Sequence, residues 1–356
     1  KVYGEHDYEV LTSAREGLQR QEDHFGSKQR HDTDGYNIIP FGYCTYRNRS
    51  DDGKFAFNIN TISEKAIVSK FYPVFRFTNA NSTFMAEFLN SSPRVKKKLS
   101  VLAVGTSQVV LSFEALKAAK FDLPCKDEQD KIAAFLECLN ARIENQRTLV
   151  VALKKYKRGV VDGIFSRKLN FSYPQTWAEL EISELFMPIS DKGYSDKIVL
   201  TIVQGEGTMP RDSVDRRIAY DKSTISSYKR VLPNDFILHL RSFEGGLEIV
   251  NEEGVVSPAY TILRARNEII PLFFYTFFRS YWFINSKLRI SVEGIRDGKS
   301  INMNTFWHIK VPVPSIEEQR HISALISSID NRIKIAEFEY KRLLQIRVGL
   351  MQQLFI

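Results

Sequence analysis

The side chains in this chain best suited to chemistry are cations. Arg15, Arg20, Lys28, Arg30, Arg47 and Arg49 occur in polar, turn-rich stretches near the start, with Gln19, Gln21 and Asn48 among them. A second set follows residue 200: Arg211, Arg216, Arg217, Lys222, Lys229, Arg230 and Arg241, with Arg296 and Lys299 in or beside the glycine-bounded loop 294–298. Ammonium and guanidinium groups bind phosphate, and the paired donors and acceptors of Arg, Gln and Asn match the edges of bases. Taken one at a time, each of these residues is better explained as solvated surface charge. The chain has 50 Lys and Arg against 42 Asp and Glu, a formal net charge of +8. That balance agrees with an anionic partner and does not require one.

Motifs for a reaction do not emerge. Gly294-Ile295-Arg296-Asp297-Gly298-Lys299-Ser300 resembles a phosphate-binding loop, but it has one residue too few between its glycines. Asn37-Ile38-Ile39-Pro40-Phe41 lacks the first proline of an adenine-methyltransferase motif. The histidines, His24 and His31 included, form no metal-ligand pattern with a cysteine pair. No Gly-x-Ser-x-Gly elbow exists. Cys44, Cys125 and Cys138 cannot build a disulfide framework, so a reducing, cytoplasmic home is expected. The apolar stretch 269–278 stops at Arg279, well short of the roughly 20 residues that span a membrane. Residues 1–7 show no apolar signal region. The expectation is a recognition protein with no catalytic residues, no metal and no cofactor of its own.

The elements that must position the cations come as a repeat. Pro124-Cys125-Lys126-Asp127-Glu128-Gln129 returns as Pro314-Ser315-Ile316-Glu317-Glu318-Gln319, and the offset of 190 holds without a gap to Phe165 and Phe355. Identity recurs at Ile132, Ala134, Arg142, Ile143, Leu153, Gly159 and Phe165 with their partners. In both copies apolar residues follow a 4-3 spacing: Ile132, Leu136, Leu139, Ile143, Leu153 and Val160 in the first, Ile322, Ile326, Ile329, Ile333, Leu343 and Leu350 in the second, ending at Leu354. That is the seam of a coiled coil. Two copies inside one chain argue that the long helices pair antiparallel with each other rather than forming a simple dimerisation coil. Lys157 and Arg347 stand at matching seam positions, as register-setting polar residues or as side chains that snorkel at a fraying end.

The segments before the helices match more weakly. Val10-Leu11-Thr12 aligns with Val199-Leu200-Thr201, Tyr43-Cys44-Thr45-Tyr46-Arg47 with Ile237-Leu238-His239-Leu240-Arg241, and Val68-Ser69 and Tyr72 with Val256-Ser257 and Tyr260. Short β-rich and helical runs mix there, which predicts an α/β (α+β) fold: two pseudo-repeated globular domains, each followed by a long helix. The expected boundaries are a first domain at 1–122, a central helix at 123–166, a linker at 167–176, a second domain at 177–311 and a C-terminal helix at 312–356. The second domain's opening stretch, from Trp177-Ala178-Glu179-Leu180 to about Ser190, has no counterpart before Lys1, so the first domain is expected to be incomplete at its N-terminus. At matching places in a repeat, the two basic clusters shift from surface charge towards a nucleic-acid partner. The run Arg94-Val95-Lys96-Lys97-Lys98 reads equally as a phosphate contact or an exposed helix end.

The paired Pro-x-x-x-Glu-Gln entries into Ile/Leu-rich helices that end in a hydrophobic-Phe step resemble the DNA-specificity subunit of a Type I restriction-modification system. Leu232-Pro233-Asn234-Asp235-Phe236, Ser257-Pro258-Ala259-Tyr260 and Ile309-Lys310-Val311-Pro312-Val313-Pro314 add to the resemblance, which covers essentially the whole chain. The resemblance implies two target-recognition domains, each reading half of a split double-stranded DNA target. It implies paired helices that set their spacing and dock two methyltransferase subunits, with Arg142, Arg147, Lys154, Lys155 and Arg158 as candidate docking surface. Restriction subunits would join in the full complex. S-adenosylmethionine and ATP would belong to those partners. Two other readings stay open: a two-headed coiled-coil interaction protein that binds no DNA, and a fragment of a fused restriction-methylation enzyme.

Overall fold

The computed structural model describes residues 1–27, 32–169, 177–214, 222–239, 244–294 and 299–355. It divides into two compact units, Lys1–Arg147 with Phe338–Ile356, and Thr148–Glu337. Two helices dominate the chain, a central one at Lys126–Phe165 and a C-terminal one at Ile316–Leu354. Each opens with carboxylates in its first turn, Asp127 and Glu128 or Glu317 and Glu318, where the helix dipole favours negative charge. Each unit therefore holds one globular domain, the start of the helix that follows it in sequence, and the end of the other.

In the first unit, Glu9–Ala14 pairs antiparallel with Gly17–Arg20 and parallel with Ala66–Val68, and Asn37–Ile38 closes that sheet. A second sheet sets Cys44–Tyr46 between Phe57–Ile59 and Val74–Phe75. The helix Ser82–Ser91 starts where the Asn81 side chain accepts from the Phe84 N–H, and it buries Phe84, Met85 and Leu89. In the second unit, an antiparallel sheet runs Phe186–Ile189, Tyr260–Ala265, Phe236–His239, Glu248–Ile249. The helix Pro271–Phe278 has proline in its first turn, where the missing N–H costs nothing, and buries Phe273, Phe274, Phe277 and Phe278. Ala178–Glu181 pairs with Lys310–Val313, so the start of this domain is tied to the strand that leads into the C-terminal helix.

The long helices run antiparallel within each unit. In the second unit the Lys157 ammonium meets Asp330 at 2.6 Å, and Lys154 meets Glu337 at 2.6 Å. In the first, Arg347 donates to the Asn140 side-chain oxygen at 2.8 Å, and Ala133 and Leu136 cluster with Met351 and Phe355. Leu136, Leu139, Ile322, Ile326, Ile329, Ile333 and Leu343 are buried, while Ile132, Ile143, Leu153, Val160 and Leu350 are half-buried. The stripe does not finish at Leu354, which is exposed. Beyond Leu350 the helix is covered by the first domain, and Met351 and Phe355 face it instead.

The recurring motifs now have physical roles. The Gln129 side-chain oxygen accepts from the Asn81 N–H at 3.0 Å, and its amide donates to the Pro124 carbonyl at 2.8 Å. Gln319 makes the same pair of bonds, from the Ile270 N–H at 3.0 Å and to the Pro314 carbonyl at 3.0 Å. Each glutamine is buried and clamps the helix entry to the residue that precedes the domain's own helix. The terminal phenylalanines act at the other end. Phe165 packs on Phe273 and Phe277, with ring centroids 5.5 and 5.0 Å away. Phe355 packs on Phe84 and Phe88 at 5.6 and 5.9 Å. Truncating a buried phenylalanine typically costs about 3–5 kcal/mol. Phe165→Ala and Phe355→Ala are each expected to lose that much on chemical denaturation, whereas Ile335→Ala, on an exposed helix face, should change stability by less than about 0.5 kcal/mol.

Candidate nucleic-acid interface

In the first unit the hairpin of Glu9–Ala14 and Gly17–Arg20 carries Arg15 at its turn and Gln19 and Arg20 on its return strand. These cations are compensated. Arg15 lies 2.8 Å from Asp52. Arg20 donates to Glu9 at 2.8 Å, and that hydrogen bond raises its pKa further. The Gln19 oxygen lies 3.0 Å from the His24 ring. Arg47 and Arg49 are different: both are exposed, and neither has an ion-pair partner among the described residues. Lys28 and Arg30 lie outside the described residues. The basic run falls on an amphipathic helix, Pro93–Leu102, capped by the Ser92 hydroxyl. Val95 and Leu99 point into the core, and Arg94, Lys96, Lys97 and Lys98 form its solvated face. Lys98 bonds the Lys120 carbonyl and sits 5.1 Å from the Phe121 ring centre. A cavity of about 920 Å³ in this unit is lined by Arg15, Lys54, Lys96 and Arg347 but also by Glu87 and Glu137, so its walls carry both signs of charge.

In the second unit two of the expected cations serve the fold. Lys229 donates to the Tyr260 carbonyl at 2.7 Å, and burial, with Lys192 nearby, lowers its pKa. Arg230 lies 4.7 Å over the Tyr194 ring and donates to Glu253 at 2.9 Å, a bond that raises its pKa. Together they brace the strand Lys229–Val231. Lys222 opens a short 3-10 turn, Lys222–Ser227. Lys299, next to the strand Ser300–Ile301, is exposed with no ion-pair partner among the described residues. Arg216, Arg217, Arg241 and Arg296 lie outside the described residues.

Arg211 stands apart from both groups. It lines a cleft of about 620 Å³ together with Thr201, Gln204, His239, Glu248 and Tyr260. Gln204, His239 and Tyr260 carry no charge pattern that marks them in the sequence, although His239 lies within the segment aligned to Tyr43–Arg47 and Tyr260 is aligned with Tyr72. The rear wall is built around Glu248, which is buried. Its carboxylate accepts from the Gly205 N–H at 3.0 Å and the Tyr275 hydroxyl at 3.1 Å, and it pairs with Arg279. Burial in this wall lowers the Arg279 pKa. Gly246 has φ +81°, and a Cβ there would fall 2.1 Å from the Phe278 carbonyl oxygen, so only glycine fits. The apolar helix thus ends in an arginine because Arg279 reaches back to the cleft carboxylate. Removing one member of a buried ion pair typically costs about 3–5 kcal/mol. Glu248→Ala is expected to lose that much in denaturant unfolding and to speed amide exchange at Gly205.

Among the described residues, no group of His, Cys, Asp and Glu is arranged to hold a metal, and no helix is long and apolar enough to cross a membrane. The family description "Type I restriction modification DNA specificity domain" matches the chain twice, at residues 4–153 and 174–345. Two proteins of Methanocaldococcus jannaschii are similar in sequence. A type I restriction enzyme MjaX specificity subunit is 24% identical over 224 residues, covering 58% of this chain and 51% of that protein. A type I restriction enzyme MjaVIII specificity subunit is 24% identical over 215 residues, covering 58% and 47%. The match spans about half the length of these relatives. Two crystal structures share the fold. The HsdS subunit from Thermoanaerobacter tengcongensis has a TM-score of 0.52 at 17% identity, covering 92% of this chain and 84% of that one. The Type-I restriction-modification system S subunit from M. genitalium has a TM-score of 0.51 at 19% identity, covering 98% and 88%.

Proposed function

The chain belongs to the Type I restriction modification DNA specificity family, and from that premise we propose that it is the non-catalytic subunit that selects the DNA target. Each domain reads one half of a split double-stranded sequence. The observation that carries this reading is the recurrence of one construction in both units: a domain clamped at a helix entry by a glutamine and closed over a helix end by a phenylalanine. In the first unit the solvent-facing cations Arg47 and Arg49 supply phosphate and base contacts. In the second, the Arg211 cleft and Lys299 do so. Chemistry is left to partners: methyltransferase subunits holding S-adenosylmethionine, and restriction subunits using ATP.

The helices offer the methyltransferase subunits a surface. In the first unit Phe135, Phe338 and Ile346 are exposed, and in the second Leu149, Tyr156 and Ile335 are. Large apolar side chains left in water on helix faces suit a protein partner. Of the flanking cations, Arg147 is paired with Glu144 and Lys154 with Glu337, while Arg142, Lys155 and Arg158 are exposed. Reversing the charge of those last three together is expected to reduce co-purification of the methyltransferase subunit. Normal recovery would remove them from the docking surface.

The DNA reading is tested by binding. Duplex affinity of the assembled complex should fall with log salt, with a slope of about −0.9 per phosphate contact. Arg47→Ala and Arg241→Ala should each weaken binding through one half-site only, which duplexes altered in either half will reveal. An equal loss on every sequence would make them general phosphate contacts. Salt-insensitive behaviour with no duplex binding would favour a two-headed protein-interaction role.

A further inference from the structure

Both units contain the same tight turn. In the first, the Ser69 hydroxyl accepts from the Phe71 N–H at 3.4 Å and the Ser69 carbonyl from the Tyr72 N–H at 2.9 Å. In the second, Ser257 does the same for Ala259 at 3.3 Å and for Tyr260 at 3.1 Å. The tip residues are exposed in both, and they differ: Lys70-Phe71 against Pro258-Ala259. Ala259 shows that the turn closes without a large side chain at this position, so folding does not explain the Phe71 ring, which is 55% exposed.

The ring is nonetheless held. The Arg49 guanidinium lies 5.5 Å from its centre and the Lys70 ammonium 5.7 Å, both within reach of the ring's negative face. Arg49 is itself placed by the pairing of Arg49–Ser50 with Val109–Val110. Neither cation has an ion-pair partner among the described residues. An apolar plate braced by two uncompensated charges suits a polyanion that also presents apolar groups at its base edges, such as the thymine methyl in the major groove. A protein groove for the ring would have to supply carboxylates for both cations as well as an apolar floor.

We propose that Phe71 is an aromatic contact between the first unit and duplex DNA, with Arg49 and Lys70 on the adjoining phosphates. It would then be a determinant of the first half-site with no counterpart in the second unit. This rests on the DNA-specificity reading above. The test uses the full chain assembled with its methyltransferase subunit and a fluorescent duplex carrying the motif the complex methylates. Phe71→Ala should weaken binding about tenfold, the scale of one lost base contact in a specific duplex site. Phe71→Trp should recover most of that, and the melting temperature should not move. The loss should vanish on duplexes already altered in the half read by the first unit. Equal affinity of Phe71→Ala and wild type, with salt-dependent wild-type binding, overturns the proposal and leaves the DNA reading standing. A wild-type complex that binds no duplex overturns both. Loss of the methyltransferase subunit from the Phe71→Ala complex overturns it in favour of a protein contact.

Discussion

The burial of each long helix's last turn is the constraint on which the structure depends. An amphipathic helix of this length gains its stability from covering its apolar stripe, not from intrinsic propensity. Part of each stripe meets the other helix, and part, the final phenylalanine included, is covered by a domain. Phe165 enters the aromatic cluster of the second domain and Phe355 that of the first. A domain is therefore held at two places, by the glutamine at one helix entry and by the phenylalanine at the other helix's end. The hydrogen-bond clamp is directional and sets orientation. The aromatic contact adds buried apolar area, with Phe165 and Phe355 each nearly fully buried.

The same economy separates cations that build from cations that are available. Lys229, Arg230, Arg264 and Arg279 all lean on carboxylates, carbonyls or rings. Arg264 makes two bonds, of 2.8 and 2.7 Å, to the buried Asp235, which also accepts from the Leu232 N–H. That arrangement accounts for the Leu232-Pro233-Asn234-Asp235 phrase: Asn234 turns the chain with φ +71°, and Asp235 closes the turn. Such residues are poor DNA ligands, because engaging phosphate would leave a carboxylate behind in a partly buried site. Arg47, Arg49 and Lys299 carry no such obligation.

The architecture was legible because its signals are periodic and long. A 4-3 stripe repeated at a fixed offset cannot be mimicked by a loop, and the two long helices run over Lys126–Phe165 and Ile316–Leu354. The interface was much less legible. Whether Arg230 is solvated depends on Tyr194 and Glu253, and whether Arg279 ends a helix or shapes a cleft depends on Glu248, 31 residues earlier. No local pattern encodes those partners. The run Arg94–Lys98 was ambiguous for the same reason: only the burial of Val95 and Leu99 shows which side of that helix faces water.

The polar seam positions show how the copies diverged without losing the scaffold. Lys157 meets Asp330 in the second unit, and the equivalent contact in the first joins Arg347 to Asn140. There the acceptor is a neutral amide, which alone would leave a half-buried guanidinium uncompensated. Glu87, on the first domain's helix, supplies the missing charge with two bonds of 2.8 and 3.0 Å to Arg347. In the second unit the charge balance lies wholly within the helix pair, whereas in the first it is shared with the domain. The Arg347–Glu87 pair thus ties the first domain to its scaffold electrostatically as well as through Gln129 and Phe355. The scaffold tolerates such exchanges because each seam cation keeps a full counter-charge, and the freedom to diverge is left to exposed positions such as the turn tips.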